Sequence, residues 1–262
     1  MEDGRSGDNV KKLVRATALV AFAIFCLIAV ASCVIYVLQL RVERRAEALL
    51  NDVRSLRLED STAADVLSVV QKYHGSASAG GRDAFGCDAW DASYSIRIAN
   101  DALNSIGLRY PFLRFAVNPQ GVVATFMVNQ GRLHCMWYRF ASFPPHDWKQ
   151  LVVEVHANPA WAGISWPLSK PFVVEYPSGK MWFFFVNLKP AATAEELRLA
   201  FDFNLSCMRR VGGCVAACEL MPTAWPEYLK RAQERGLTIP RHELDDSRCV
   251  NRVGTDTIPT PD

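Results

Sequence analysis

The sequence carries almost no net charge and no run of like charges. Its 29 Lys and Arg residues offset 27 Asp and Glu residues, which leaves a formal charge of +2, and both signs are scattered along the chain. Nucleic-acid-binding proteins concentrate basic residues in patches, because contacts with phosphates supply much of their affinity. The charge distribution therefore predicts no nucleic-acid partner.

The sequence also lacks the short motifs that identify a reaction or a cofactor. It contains no Gly-x-Ser-x-Gly elbow, no phosphate-binding glycine loop and no His-Glu-x-x-His. None of its five histidines stands at a metal-ligand or triad spacing. We therefore predict no metal and no other cofactor, and we favour a non-catalytic protein over an enzyme.

The alternative hypothesis is a membrane-anchored hydrolase. Its nucleophile would be Cys135, assisted by His134 or His156, or a carboxylate pair such as Asp88 and Asp91 would act in a loop. A cysteine on an apolar strand more often packs in the core than reacts. Solvated acids are likewise the ordinary interpretation of acidic loop residues. A further pair, Asp245-Asp246, could like Asp88 and Asp91 hold a cation. The tryptophans 148, 161 and 166 could form a ligand or peptide surface, although core packing is their more common role.

One segment, residues 16–38, contains 23 residues without a charge. A helix rises about 1.5 Å per residue and needs about 20 residues to cross the hydrocarbon of a bilayer. The segment therefore predicts a single transmembrane helix, with the lipid bilayer as a partner. Residues 30–33, Val-Ala-Ser-Cys, resemble the lipobox of bacterial lipoproteins, in which Cys33 would become the lipidated N-terminus. The apolar run continues past Cys33 to Leu38, which favours an uncleaved span over a lipoprotein or a cleaved signal.

The orientation of this span is decided by cysteine rather than by charge. Four basic residues precede the span within about twenty residues and five follow it, so the positive-inside rule makes no choice. Six of the eight cysteines lie beyond the span, at 87, 135, 207, 214, 218 and 249. This even number favours disulfides and an extracytoplasmic domain, periplasmic or extracellular, over buried free thiols or a zinc site.

We predict one specific disulfide, between Cys207 and Cys214. Gly212-Gly213 stands just before Cys214, and glycine accepts the positive φ of a tight reversal. Such a reversal would place the end of a predicted helix over residues 193–210 beside the start of another over 214–220. Cys218 is the competing partner for Cys207.

The domain organisation follows from changes in composition. We expect a tail at 1–15, the transmembrane helix at 16–38, a helical stalk at 39–60, a β-rich soluble domain at 61–253 and a disordered tail at 254–262. The apolar stalk positions are Val42, Ala46, Leu49, Val53 and Leu56. Their spacing predicts a helix that docks on its own domain or pairs with a second copy as a homodimer.

The predicted fold class is α+β: the transmembrane helix is followed by an antiparallel sheet or sandwich with flanking N- and C-terminal helices. Period-two patterns predict strands at residues 93–98, 112–117, 122–128, 133–140, 151–155, 172–176 and 181–186, and Pro177-Ser-Gly179 joins the last two. The strand at 133–140 is apolar on both faces, with Leu133, Cys135 and Trp137 on one face, so we expect a second sheet or helices to cover both sides. We expect Trp137, Phe183 and Phe185 to lie in the core. Residues 75–86 are rich in Gly, Ser and Ala, and predict a loop. Thr62, with Asp65 three residues later, predicts the start of a helix, and a last helix is expected at 225–235.

The sequence therefore favours a single-pass, extracytoplasmic module that binds or scaffolds another component of the cell envelope. A cytoplasm-facing accessory protein with reduced thiols is a further alternative.

Overall fold

The fold is known from a computed structural model. It describes residues 4–84, 87–143, 150–158, 173–176, 179–188, 194–210 and 212–226. The predicted helix at 225–235 lies outside these residues except for its first two positions.

After two helices the described chain contains seven strands, interrupted by a third helix and a 3-10 helix, and it ends in short helices. The helices are α1 (Gly4–Ser55), α2 (Ala63–Lys72), α3 (Asp101–Arg109), α4 (Ala194–Ala200) and α5 (Ala217–Leu220), with 3-10 helices at Pro111–Leu113 and Leu205–Arg209. The strands are β1 (Ser76–Ala84), β2 (Cys87–Ala99), β3 (Gln120–Asn129), β4 (Arg132–Ser142), β5 (Gln150–Ala157), β6 (Val173–Tyr176) and β7 (Gly179–Leu188).

The described strands form one sheet in the order β1-β2-β3-β4-β5-β7-β6. Strands β1 to β5 form an antiparallel meander, and β6 and β7 form an antiparallel hairpin. The predicted fold class, an apolar N-terminal helix followed by an antiparallel sheet with flanking helices, is confirmed. The meander does not continue to the end, however, because β7 pairs with β5 in parallel.

Helix α1 has two halves that differ in exposure. From Val14 to Val37 its large apolar side chains are exposed, and this is the helix that is long and apolar enough to cross a membrane. From Gln39 onward one side of the helix is buried, including Ala46, Leu49 and Val53. An exposed apolar helix of this length is consistent with a membrane anchor, because its apolar surface is more stable in the hydrocarbon of a bilayer than in water.

The stalk positions pack on the chain's own domain. Ala46, Leu49, Val53 and Leu56 are buried in one cluster with apolar residues of the sheet, and Val42 packs against its edge. Arg54 adds a polar contact, since its Nε donates a hydrogen bond to the Phe201 carbonyl at 3.0 Å. The apolar spacing of the stalk is thus explained by docking within one chain.

The main core lies between one face of the sheet and the helices. Tyr138 and Phe140 of β4, Phe126 of β3 and Ile96 of β2 are fully buried there, beside Met208 of the second 3-10 helix. The strand at residues 133–140 was expected to be covered on both faces, by a second sheet or by helices. On this face the cover is helical.

A β-bulge in β4 changes which residues share a face. Met127 pairs with Cys135, but the next residue, Val128, pairs with Leu133, so His134 is the extra residue. The strict alternation that would group Leu133 with Cys135 and Trp137 is therefore wrong. Leu133 lies in the main core, whereas Cys135 faces the opposite side of the sheet.

Trp137 is also less buried than predicted. It is partly buried and packs against the small cluster of Cys87, Met127 and Cys135. The side chains of Phe183 and Phe185, which we expected beside it in the core, lie outside the described residues.

Two sequence predictions about strands were wrong. The glycine-rich residues 76–84 form β1, whose backbone pairs with β2 from Ser76 to Ala84. Gly81 suits close pairing, since a Cβ added there would lie 2.6 Å from the Trp90 ring. Conversely, residues 112–117 are not a strand. Pro111 starts a 3-10 helix there, and the chain enters the sheet only at Gln120.

The predicted helix over residues 193–210 is interrupted. Within the described residues α4 ends at Ala200, and after a break the chain forms the 3-10 helix Leu205–Arg209. The Asn204 side chain caps that second helix by accepting from the Ser206 N–H at 3.2 Å. Asn favours caps over helix interiors, because its side chain competes for backbone groups. The predicted capping box of Thr62 and Asp65 at the start of α2 is confirmed.

Candidate functional site

The face of the sheet opposite the main core carries a row of charged residues. Arg97 of β2, Val123 of β3, Arg139 of β4 and Glu154 of β5 are successive cross-strand neighbours. We call this side of the sheet the groove face. Period-two alternation puts the three charged residues and Val123 on it, while their chain neighbours point into the core.

Glu154 stands at the end of this row, in contact with both Arg139 and His156. Its carboxylate is almost fully buried, and it forms an ion pair with the Arg139 guanidinium. The Nε2 of His156, two residues along the same strand, lies 2.5 Å from the other carboxylate oxygen. Burial alone would raise the pKa of Glu154, but the hydrogen bond from His156 and the charge of Arg139 outweigh it. The pKa of Glu154 is therefore held below its ordinary value, which keeps the group ionised.

A second cross-strand pair lies beside Arg139 and Glu154. Trp137 pairs with His156, and their ring centroids are 5.9 Å apart. Trp137 in turn packs against the disulfide between Cys87 and Cys135. The imidazole of His156 is thus held from two sides, by an aromatic ring and by a carboxylate.

A groove of about 280 Å³ opens on this face, between α3 and the sheet. Arg97 and Arg139 line it together with Asn104, Leu108, Phe143 and Gln150. The Arg97 guanidinium also lies 2.8 Å from Asp101, and both side chains are exposed. Two guanidinium groups at one groove suit a ligand with a carboxylate or another anionic, hydrogen-bonding group, which arginine binds through paired donors.

The hydrolase hypothesis placed a nucleophile at Cys135. In the structure Cys135 is bonded to Cys87, with the Cα atoms 6.2 Å apart. This bond joins β2 to β4, which flank β3 in the sheet. A sulfur in a disulfide has no thiolate to attack a substrate, so in this state Cys135 is structural. The Nδ1 of His134 lies 2.7 Å from Oε1 of Glu59.

The same sulfur atoms belong to the one group among the described residues with metal-binding geometry. The ligand atoms of Cys87, His134 and Cys135 lie within 4.8 Å of one another. Metal ligation by cysteine requires thiolates, so a metal and the disulfide exclude each other at this position.

The structure joins Cys207 to Cys214, with 4.9 Å between their Cα atoms. Gly212 and Gly213 both adopt positive φ, 83° and 66°, and the chain reverses there. A side chain at Gly213 would also collide with Asn118. Cys207 belongs to a 3-10 helix rather than to the long helix we predicted. Cys218, the competing partner, is disulfide-bonded as well, but not to Cys207.

The remaining candidates do not gather at one place in the described residues. Asp91 Oδ2 accepts a hydrogen bond from the Gln130 N–H at 2.7 Å, which supports the β3–β4 turn. The other candidates lie outside the described residues or side chains: Asp88, Asp245, Asp246, Trp148, Trp161 and Trp166.

Sequence reasoning missed the charged row and the groove. A signal for part of it existed in Val-Val-Glu-Val-His, residues 152–156, where two titratable residues alternate with valines. Such spacing places Glu154 and His156 on one face of a strand. Arg97 and Arg139 are far from them in sequence, so their approach depends on the order of the strands.

Comparison of the chain with protein-family models, with curated proteins and with solved structures found no match. The proposal for its function therefore rests on the geometry.

Proposed function

We propose that this protein is a single-pass, membrane-anchored binding module whose sheet domain lies outside the cytoplasm. On this proposal the domain recognises another component of the cell envelope through the groove between α3 and the sheet. The observation that carries it is the continuity of α1, whose exposed apolar half passes without a break into the half that is buried in the domain.

The continuity of α1 determines how the domain is held. The buried side of the helix begins at Gln39, directly after the apolar residues 16–38. No flexible linker separates anchor and domain, so a bound partner would be held at a fixed height and orientation. That property suits scaffolding at a membrane surface.

The cysteines support placement outside the cytoplasm. Cys87–Cys135 and Cys207–Cys214 lie at disulfide geometry, whereas Cys26 and Cys33 of the span are free thiols. Disulfides persist in oxidising compartments and are rare in the cytosol.

The groove supports binding rather than catalysis. Its charged groups are arginines, and the buried Glu154 and His156 are held by one another and by Arg139 and Trp137. Arginine stays protonated and suits recognition of anionic groups, but it is a poor general base.

Cysteine labelling of the full chain tests the orientation. In a background in which Cys26 and Cys33 are replaced by Ala, Ala64→Cys adds an exposed thiol on α2, and Ser6→Cys adds one before the span. With a membrane-impermeant maleimide on intact cells, without reductant, we expect A64C to be labelled and S6C to be labelled only after lysis. The reverse pattern would place the domain in the cytoplasm and refute the proposal.

Photo-crosslinking in cells tests the groove. A photoreactive amino acid at Ala141 or Gln150, which line the groove, is expected to give a discrete crosslinked product. The same residue at Ala64, exposed on α2, is the matched control. The product should disappear when Arg139→Gln is added to the Gln150 variant. Equal products from Ala64 and the groove positions would mean that the groove is not the binding surface.

A further inference from the structure

The exposed large apolar residues of the described chain fall in two segments only. One is the membrane-spanning half of α1. The other, which we call the apolar segment, is residues 106–115 at the end of α3 and through the first 3-10 helix. Its exposed members are Ile106, Leu108, Tyr110, Phe112 and Phe115, and Phe112 is 72% exposed. Exposed apolar residues scattered singly are ordinary, but a cluster within ten residues indicates a contact surface.

The apolar segment is held firmly in this exposed position. The inner side of α3 faces the domain, and its residues Leu103 and Gly107 are buried. A side chain at Gly107 would collide with Pro119, which shows how closely the helix approaches. Arg114, itself buried, donates a hydrogen bond from Nε to the Gly107 carbonyl at 3.1 Å. The inner side of α3 is therefore occupied, and its outer apolar residues are left without cover.

The position of the apolar segment relative to α1 shows that the bilayer can cover it. A small cavity is lined by Gln39 and Val42 of α1 and by Leu103 of α3, so these parts of the two helices are neighbours. With a rise of about 1.5 Å per residue, Val42 lies only about 6 Å along the helix beyond Leu38, where the apolar span ends. The apolar segment is therefore near the level at which α1 leaves the bilayer.

A second contact places the far end of the segment near the same level. The Phe115 carbonyl accepts a hydrogen bond from the Gly212 N–H at 3.0 Å. Arg209, three residues before Gly212, lies 3.6 Å from Glu43 of α1. The first turn of α3, which leads into the segment, and the end of the segment thus both lie near residues 39–43 of α1.

The chemistry of the segment matches a membrane interface. Aromatic rings concentrate at the headgroup level, where one part of the ring is in contact with hydrocarbon and another with water. The rings of Tyr110 and Phe112 are in edge contact at 6.1 Å, and the Arg109 guanidinium lies 5.6 Å from the Tyr110 ring centroid. On α1, Arg41, Arg44 and Arg45 are exposed at the adjoining level. Such cations favour anionic lipid headgroups.

We propose that the apolar segment inserts into the interface of the same bilayer that α1 crosses, as a second membrane contact of the domain. It would fix the tilt of the domain on the membrane, because tilting α1 away from this side would pull the apolar segment out of the interface. The inference rests on the membrane anchor in the proposed function, but not on which side of the membrane the domain lies.

The test uses the full chain in vesicles of phosphatidylcholine and phosphatidylglycerol. In a background with Cys26 and Cys33 replaced by Ala, an environment-sensitive NBD label is attached to Phe112→Cys, without reductant. The matched control carries the label on Ala64→Cys, an exposed helical position of α2 away from the span. Flotation of the vesicles reports the anchor separately from the label.

We expect the label on F112C to emit at shorter wavelength and to be quenched by lipids brominated near the headgroup several-fold more than the label on A64C. In F115S combined with I106S, the quenching of the label on F112C should fall toward the control. A floating protein whose label on F112C is no more quenched than the control would overturn the proposal. So would a label in an apolar environment without lipid quenching, since that would place a second copy of the chain over the segment. A chain that fails to float would contradict the anchor itself.

Discussion

Glu43 of α1 and Arg209 of the second 3-10 helix face each other across the docked stalk, with Oε2 and Nε 3.6 Å apart. This distance is too long for a hydrogen bond, and the Glu43 carboxylate is buried. Burial raises the pKa of Glu43, and the charge of Arg209 offsets this effect only in part. The ionised form of Glu43 therefore opposes docking of the stalk.

From this pair we predict that Glu43→Gln stabilises the folded domain at neutral pH by about 1 kcal/mol, because it removes the charge that burial penalises. Unfolding of the full chain in detergent, followed by tryptophan fluorescence, measures the gain. Glu47→Gln, exposed on the same helix, is the control and should change stability by less than about 0.5 kcal/mol. A loss of stability in E43Q would mean that the pair with Arg209 is favourable.

The pH dependence of the Glu43 effect has a defined sign. Since its pKa is higher in the folded than in the unfolded chain, ionisation destabilises the fold at pH values above both pKa values. The advantage of E43Q over the natural chain should therefore shrink on acidification and vanish below the ordinary value of 4.5. An advantage that is constant with pH would show that it does not come from ionisation.

Glu154 should behave in the opposite way. Glu154→Gln removes the anionic partner of Arg139 and His156, and we expect a loss of about 3 kcal/mol at neutral pH. Because the pKa of Glu154 is lowered in the folded chain, its contribution is present above 4.5 and is lost as the pH falls through the folded-state pKa. Asp101→Asn, which breaks the exposed pair with Arg97, is the control, with an expected loss below about 0.5 kcal/mol. Equal losses in both variants would refute a special role for the buried pair.

Two tyrosines provide a matched test of buried hydroxyl groups. Tyr138 is fully buried and its hydroxyl has no hydrogen-bond partner among the described residues. Tyr73, also buried, donates to Asp52 at 2.6 Å. We expect Tyr138→Phe to leave stability unchanged or raise it by up to about 1 kcal/mol, and Tyr73→Phe to lower it by about 1 kcal/mol. Denaturant unfolding measures both changes, and a larger loss of stability in Y138F than in Y73F would contradict the assigned hydrogen bonding of the two hydroxyl groups.

The disulfides Cys87–Cys135 and Cys207–Cys214 should differ in their contribution to stability. Cys87 and Cys135 are separated by 48 residues, and Cys207 and Cys214 by 7. Chain-entropy estimates give about 4 kcal/mol for the longer loop and about 2.4 kcal/mol for the shorter one. Replacing both cysteines of a pair by Ala should therefore cost more for the first pair. Peptide mapping of the unreduced protein checks the pairing, and a Cys207–Cys218 linkage would contradict it.

The sequence by itself determined the features that depend on neighbouring residues. The uncharged residues 16–38 predicted a membrane-length helix, and Thr62 with Asp65 predicted the capping box that starts α2. The hairpin of β6 and β7 was also predicted, since its turn joins strands that are adjacent in sequence. In each case the interactions span only a few residues, so the local pattern is enough.

Only the tertiary structure decided the features that depend on distant partners. Residues 76–84 have poor β propensity, but pairing with β2 makes them a strand. The bulge at His134 moves Leu133 to the other face, which a strict period of two does not reveal. The same limit applies to the groove. Arg97, Arg139 and Glu154 meet because their strands are neighbours in the sheet, and that order is set by packing over the whole domain rather than by any local pattern.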